Sequence, residues 1–299
     1  MIERSDQHSR PAPPGWKYFR IFVESLSTVL FPSVCRLCES PLLLLSRLPV
    51  CATCIDSIQS FDVPRCSICG EAVNSPHVSG EEILCGMCDR AKPRFARSFA
   101  YGSYDGALRG LIHLLKYQQI KPASRPLGRL LASGMAGFSE YGESPVLVIP
   151  VPLFGGKQRQ RGFNQAELLS REALQHLNSW KPDGFELHTG NLKRIRATVS
   201  QTGLTSHQRR KNVRGAFALN KPHLVQRRNL LLIDDVYTTG TTLNECARVL
   251  RSVGAERVWV ATVARVFRHH EGRVLSAPPM HSVDEGRKTA GIAISAMNG

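Results

Sequence analysis

Apolar residues along the chain follow two periods in alternation: the continuous runs of buried strands and the three-to-four spacing of amphipathic helices. Continuous runs over 146–149 and 230–233 predict buried strands of a parallel sheet. Helical spacing over about 108–115, 164–177 and 243–253 predicts three helices, and Gly254 ends the last of them. Strands that alternate with helices in this way indicate an α/β domain.

The run over 230–233 leads directly into two acids, Asp234 and Asp235, and then into a turn rich in hydroxyls. Gly240 lets the turn approach a ligand closely, and the helix that follows offers free N–H groups to an anion. The carboxylates cannot bind phosphate, but they can accept hydrogen bonds from vicinal ribose hydroxyls or hold Mg²⁺ directly or through water. The pattern therefore predicts a phosphate–sugar site.

This stretch resembles the diphosphate-sugar fingerprint of type I phosphoribosyltransferases. The resemblance implies that Asp234 and Asp235 contact the ribose of phosphoribosyl pyrophosphate (PRPP). It assigns the 5-phosphate to the residues of the turn, Thr238, Thr239, Gly240, Thr241 and Thr242. It also implies the fold, a phosphoribosyltransferase-like parallel sheet flanked by helices. Thr238 stands where purine-salvage members carry an acid, so general-base help to a purine is not expected.

Eight of the nine cysteines form four Cys-x-x-Cys pairs: Cys35/Cys38, Cys51/Cys54, Cys66/Cys69 and Cys85/Cys88. Two such turns close a tetrahedral site, so we predict two structural zinc ions in a small amino-terminal zinc-ribbon module. Sequential pairing closes the shorter loops and is favoured. Disulfides are the competing explanation, but no secretory signal is visible. Cys246 lies on the apolar face of a predicted helix and is expected to be a buried thiol.

The segment over 155–163 is glycine-rich and basic, and we predict a flexible loop that carries Lys157, Arg159 and Arg161. Asn164 is the expected N-cap of the following helix. A solvated basic loop is one interpretation. The other is a pyrophosphate site, because the loop follows the carboxyl end of a buried strand.

A longer basic segment, 187–233, contains ten Lys and Arg residues and no Asp or Glu, in a chain of formal net charge +15. This asymmetry indicates a polyanion or phosphate partner. The candidate phosphate contacts are Arg194, Arg196, Arg209, Arg210 and Lys211. Phe217 is the only Phe, Tyr or Trp in the segment, so electrostatic attraction is better supported than base stacking.

Four regions are expected along the 299 residues. Residues 1–29 form a tail with a short amphipathic helix, drawn from an apolar stretch over 26–34, and residues 30–95 form the double zinc ribbon. Residues 96–267 form the phosphoribosyltransferase-like domain, and residues 268–299 form a disordered tail. No stretch approaches a membrane span, and the expected location is the cytoplasm.

The order of motifs over about 30–265 resembles that of the ComF family. Its most distinctive block is Arg161-Gly162-Phe163-Asn164-Gln165, between Ile149-Pro150-Val151-Pro152 and the Asp234-Asp235 turn. The resemblance implies a relative of proteins used in natural transformation. It also implies partners in single-stranded DNA and the DNA-uptake machinery.

Three functions remain open at this point. The first is a Mg²⁺-dependent phosphoribosyltransferase, in which Asp234 and Asp235 orient the ribose and the cations Lys157, Arg159 and Arg161 neutralise the departing pyrophosphate. These five residues are the candidate catalytic groups. The second is a single-stranded-DNA-binding competence factor without turnover, and the third is a PRPP-sensing regulator. The sequence does not name the acceptor substrate.

Overall fold

A computed structural model describes residues 33–42, 46–61, 63–73, 77–79, 82–140, 144–179, 183–198 and 206–267. These residues belong to one compact unit that ends at Phe267. Both predicted tails lie outside the described residues. The amphipathic helix expected within 1–29 lies there too, and of the apolar stretch over 26–34 the structure describes only Ser33–Val34, which forms a strand.

Short antiparallel pairs and single helical turns make up the amino-terminal region. In chain order they are β1 (Ser33–Val34), β2 (Pro41–Leu42), α1 (Ala52–Asp56), β3 (His77–Ser79), β4 (Glu82–Leu84) and α2 (Gly86–Arg90). β1 pairs with β2, and β3 pairs with β4. Each helix begins immediately after a cysteine, Cys51 or Cys85, so both thiols of one Cys-x-x-Cys motif lie on a single turn.

The α/β region follows. Its elements are β5 (Arg97–Ser103), α3 (Gly106–Tyr117), α4 (Ser124–Met135), β6 (Val146–Pro150), α5 (Gly155–Arg161), α6 (Gln165–Leu177), β7 (Phe185–Leu187), β8 (Leu192–Arg194), α7 (Ser206–Val213), β9 (Phe217–Leu219), β10 (Asn229–Tyr237), α8 (Thr241–Ser252) and β11 (Arg257–Arg265). None of the described helices is both long and apolar enough to cross a membrane.

Five parallel strands form the central sheet in the order β5-β11-β10-β6-β7. This confirms the parallel sheet predicted from the buried runs. β6 ends at Pro150, whereas its neighbour β10 continues to Tyr237. Because Pro150 and Pro152 lack an amide hydrogen, they cannot extend the ladder alongside β10. The carboxyl end of β10 is therefore open on the side of β6.

Alternate residues of β10 pack into different cores, as strand geometry requires. Leu231 and Ile233 face a core built from α3, α4, α6 and the first two cysteine pairs. Leu230 and Leu232 face a core built from α8, the β8–β9 hairpin and the last two cysteine pairs. We call these the first and second faces of the sheet. The two halves of the amino-terminal region thus pack against opposite faces.

Candidate functional site

Asp234 and Asp235 lie within β10, which continues past them to Tyr237 and so is longer than the predicted strand over 230–233. Each carboxylate accepts a hydrogen bond from the next backbone N–H, at 2.9 Å for Asp234 and 2.8 Å for Asp235. Because side chains alternate along a strand, the two carboxylates point to different faces. The pair therefore has one acid on each side of the sheet, at its carboxyl-terminal edge.

Asp235 lies on the first face and pairs with Lys116, the penultimate residue of α3. Lys116 Nζ is 2.5 Å from Asp235 Oδ2, and both side chains are largely buried. Burial lowers the pKa of Lys116 to about 8, against the attraction of Asp234, and Arg161 lowers it further. Sequence reasoning placed Lys116 at the polar end of its helix and missed this contact. Its spacing of four residues from the buried Ile112 was the available signal.

Asp234 lies toward the second face, and none of the cations in the described part of the chain forms an ion pair with it as close as that of Lys116 with Asp235. Burial raises the pKa of its carboxyl to about 6, and Lys116, Arg194 and Arg161 act in the opposite direction. Three cations that lie far apart in the sequence thus surround the acidic pair. This arrangement supplies acceptors for sugar hydroxyls next to donors for phosphate oxygens.

The predicted turn follows at once and opens α8. Gly240 occupies the N-cap with φ +70°, and a Cβ there would overlap the Tyr237 hydroxyl, so the turn requires glycine. The Thr239 and Thr241 hydroxyls lie 2.8 Å apart, and Thr238 is exposed. The N-cap residue, Gly240, has no side chain with which to cap the first turn of α8. The N–H groups of this turn and the threonine hydroxyls are therefore suited to one phosphate group.

The basic segment after β6 is a helix, α5, and the prediction of a flexible loop was wrong. Lys, Gln and Arg favour helices, and Gly162 ends this one with φ +76°. Arg161 is half-buried and donates to Gln165 Oε1 at 2.6 Å, whereas Lys157 and Arg159 are exposed. Of the three predicted pyrophosphate contacts, only Arg161 is among the cations that act on Asp234.

Asn164 caps α6 as predicted. Its Oδ1 accepts from the Ala166 N–H at 3.0 Å, and its Nδ2 donates to the Val151 carbonyl at 3.1 Å. The cap therefore anchors α6 to the carboxyl end of β6. A cavity of about 300 Å³ lies beside this end and is lined by Pro150, Pro152, Asn164, Lys193 and Arg194 among others. Its volume is at the lower end of the range for small-molecule sites.

The long basic segment forms the β8–β9 hairpin and α7. Arg194 donates to Thr198 and lies over the ring of Phe217, with Cζ 5.5 Å from the ring centroid. Arg196 donates to the carbonyls of Asn212 and Arg214 at 2.9 and 3.0 Å. These two predicted phosphate contacts therefore also make bonds within the protein.

α7 carries the remaining predicted phosphate contacts of this segment. Lys211 is exposed and Arg209 is half-buried. The side chain of Arg210 lies outside the described residues. Nucleic-acid binding by this segment stays a prediction.

The cysteines form two tetrads, Cys35/Cys38/Cys51/Cys54 and Cys66/Cys69/Cys85/Cys88, in the sequential pairing. All nine cysteines are free thiols, and the ligand atoms of each tetrad lie within 4.8 Å of one another. Sulfur pairs at 3.5, 3.6 and 3.9 Å match the separation of about 3.8 Å that tetrahedral Zn–S bonds would impose. The donor set and its spacing therefore fit zinc. Cys246 is fully buried, as predicted.

Comparison with known families gives two matches along the chain. The model of the phosphoribosyl transferase domain matches residues 166–289, and the model of the double zinc ribbon domain matches residues 26–91. Together with the sheet and the tetrads, these matches define a class of protein: a phosphoribosyltransferase-type α/β domain joined to a double zinc ribbon that holds structural zinc.

Individual relatives narrow this class. Competence protein F of Haemophilus influenzae is 36% identical over 226 residues, which cover 72% of this chain and 90% of the relative. DNA utilization protein YhgH of Salmonella typhimurium is 33% identical over 238 residues, covering 79% and 98%. Competence protein ComFC of Bacillus subtilis is 24% identical over 239 residues, covering 74% and 90%. The chain belongs to the ComF family, as its motifs predicted.

Proposed function

We propose that this chain binds PRPP with Mg²⁺ at the carboxyl end of β10 and transfers its phosphoribosyl group to an acceptor. One observation carries the proposal. Two carboxylates stand at the open edge of the sheet, directly before a glycine turn on the N-terminus of α8, with Lys116, Arg161 and Arg194 as the surrounding cations. Open α/β sheets bind their ligands at this edge.

Each group has a role in this proposal. Asp234 and Asp235 accept hydrogen bonds from the ribose hydroxyls, and the turn over 238–242 holds the 5-phosphate. The pyrophosphate lies toward α5 and Arg161. Lys116 is released from Asp235 when a hydroxyl replaces it and can then donate to a phosphate oxygen. Mg²⁺ bound with PRPP would neutralise pyrophosphate charge, and the two aspartates are the residues that would hold it.

Transfer breaks the bond from C1 to the pyrophosphate oxygen, and pyrophosphate leaves with the electron pair. The acceptor supplies the pair for the new bond and loses a proton. Positive charge builds on the sugar and negative charge on the leaving group, so fixed carboxylates next to the sugar and cations next to the pyrophosphate stabilise the transition state. The cavity beside Asn164 is the space for the acceptor.

We also propose a role in competence, on the basis of relatives named for competence and DNA utilization. Metal-bound thiolates persist in a reducing compartment, which supports a cytoplasmic location. A second candidate function is single-stranded DNA binding through α7 and the β8–β9 hairpin. It is favoured by the acid-free basic segment, in which Arg194 is one of the cations that act on the pKa of Asp234.

The test of transfer is pyrophosphate release from PRPP with Mg²⁺, assayed against a panel of bases and amines. One acceptor should release pyrophosphate well above the acceptor-free rate, and Asp234→Asn/Asp235→Asn should abolish the difference. Asp56→Asn/Asp183→Asn removes the same charge from exposed positions and should behave as the parent. Tight PRPP binding without release for any acceptor would contradict the transferase and leave a PRPP-binding protein.

A further inference from the structure

A buried arginine lies between the second cysteine tetrad and the sheet. Arg265 ends β11 and is 3% exposed. Its Nη1 donates to the carbonyl of Cys69 at 2.5 Å, and its Nη2 donates to a carboxylate oxygen of Glu71 at 2.6 Å. Both acceptors belong to the tight turn in which the Cys66 N–H donates to the Glu71 carbonyl. A buried charge is tolerated only when it is paired, so this zinc-binding turn and Arg265 depend on each other.

The other side of the guanidinium covers an aromatic ring. Arg265 Cζ lies 4.1 Å from the ring centroid of Tyr237, the last residue of β10. Tyr237 is 5% exposed and also meets the ring of Phe95 edge-on. Cation–π contacts are strongest when they are shielded from water, as here. The contact therefore fixes the position of the Tyr237 ring.

The ring in turn defines the turn over 238–242, which we call the phosphate turn. Its hydroxyl occupies the space where a side chain at position 240 would stand, so the turn closes directly over Tyr237. The Val266 N–H donates to the Tyr237 carbonyl at 2.9 Å, which joins the ends of β10 and β11. A continuous series of contacts thus runs from Cys69 through Arg265 and Tyr237 to Gly240.

We propose that the second zinc tetrad governs the order of the phosphate turn, with Arg265 and Tyr237 as the positioning residues that connect them. Four thiolates around one zinc ion carry a net charge of about −2, and Arg265 Nη2 lies 3.9 Å from Cys69 Sγ. Loss of the metal releases the turn that holds Arg265, the Tyr237 ring loses its cation, and the phosphate turn loosens. The part of this inference that concerns PRPP affinity rests on the proposed function.

The first tetrad has a different contact. Leu37, within its first Cys-x-x-Cys turn, packs against Gly110 of α3, on the first face of the sheet. It therefore reaches the helix of Lys116 and not the phosphate turn. Cys38 and Cys85 are both half-buried ligands, one in each tetrad, so Cys38→Ser and Cys85→Ser form a matched pair.

The test compares this pair by zinc content and by amide hydrogen exchange over 237–243. Both variants should fall from two zinc equivalents to one. Cys85→Ser should speed exchange in the turn by about tenfold or more, the order expected for loss of a desolvated cation–π contact. Cys38→Ser should leave exchange in the turn within about twofold. Equal exchange in the turn for both variants would overturn the proposal.

A second pair of variants leaves both tetrads intact, so misfolding of the ribbon would not explain their effect. Tyr237→Leu removes the ring that Arg265 covers and should retain two zinc equivalents while exchange in the turn rises by about tenfold. Tyr237→Phe keeps the ring and should recover most of the protection. Unchanged protection in folded, zinc-loaded Tyr237→Leu would overturn the coupling, whatever the ribbon variants do.

Binding of PRPP gives the third arm. Cys85→Ser and Tyr237→Leu should each weaken PRPP affinity by about tenfold, and PRPP should slow zinc release from the second tetrad, because coupling between sites is reciprocal. If the parent does not bind PRPP, the proposed function fails, but the exchange measurements still decide whether zinc orders the turn. PRPP binding unaffected by either variant would overturn the regulatory role.

Discussion

At the residue scale, the site holds ionisable groups in surroundings that disfavour their charged forms. Partial burial of Asp234 raises its pKa to about 6, and burial of Lys116 lowers its pKa to about 8. Both shifts arise first from burial, which disfavours the charged form of either group. Such opposed groups in one cleft are typical of functional sites.

The first prediction concerns pH. PRPP and Mg²⁺ require the ionised Asp234, so affinity should be greatest between about pH 7 and the pKa of Lys116 at about 8, and it should fall as pH drops through 6, approaching tenfold per unit below it. The ligand's own phosphate also titrates near 6. Asp234→Asn separates the two below about pH 7, where Lys116, with its pKa of about 8, stays charged and the remaining pH dependence should follow the ligand. Calorimetry between pH 5 and 8 decides it, and identical profiles for parent and variant would contradict the assignment.

At the element scale, the helical conformation of α5 gives its three predicted phosphate contacts different environments. The helix leaves Lys157 and Arg159 in solvent and directs Arg161 toward the carboxylates, where its Cζ lies 5.9 Å from the Tyr117 ring centroid. The three cations predicted as equivalent are therefore not equivalent. Only a helix gives this difference, since a flexible loop would offer all three to the ligand.

The second prediction compares two arginines of α5. Arg161→Gln should weaken binding of Mg²⁺–pyrophosphate by about 1.5–3 kcal/mol, the range for a hydrogen bond to a charged group. Arg159→Gln should change it by less than about 0.5 kcal/mol, as exposed substitutions do. Calorimetric titration of both variants gives the comparison. Equal losses would show that the helix opens on binding and that the loop interpretation was nearer to the truth.

Sequence reasoning succeeded where the signal was local. The buried runs gave the central strands, Asn164 gave the start of α6, and Cys-x-x-Cys spacing gave both tetrads. It failed at α5, because two consecutive glycines, Gly155 and Gly156, are typical of a loop, whereas in the structure they begin a helix.

The contacts that the sequence did not show join distant positions. Lys116 with Asp235 and Glu71 with Arg265 are pairs more than one hundred residues apart. Periodicity reports which face of an element is buried, but it does not report which element covers that face. The predicted set of site residues therefore lacked Lys116, one of the cations beside the carboxylates.

At the scale of the whole molecule, the two tetrads serve opposite faces of one sheet. The first packs against α3, the helix that carries Lys116, and the second packs against the strand ends that lead to the phosphate turn. The zinc ribbon is thus part of the framework of the site and not a separate appendage. The whole chain has a formal net charge of +15, which favours anionic partners.

The third prediction tests the second candidate function through that charge. If α7 contacts single-stranded DNA, log affinity should fall with log salt by about 0.7 per phosphate neutralised. Replacing Arg209, Arg210 and Lys211 with Gln should then lower that slope by about 2. The control variant has Gln in place of three exposed arginines elsewhere, Arg125, Arg129 and Arg257. It should leave the slope closer to that of the parent. Equal slopes for the α7 variant and the parent would assign the segment to PRPP or to the fold.

The most direct measurement of the central claim is calorimetric titration of the zinc-loaded protein with PRPP, with and without Mg²⁺. The parent should bind PRPP only weakly without Mg²⁺ and tightly with it. Asp234→Asn/Asp235→Asn should fold, keep two zinc equivalents and lose about 1–3 kcal/mol of binding free energy. Unchanged affinity in that folded variant, or no detectable binding by the parent, would contradict a working PRPP site at the end of β10.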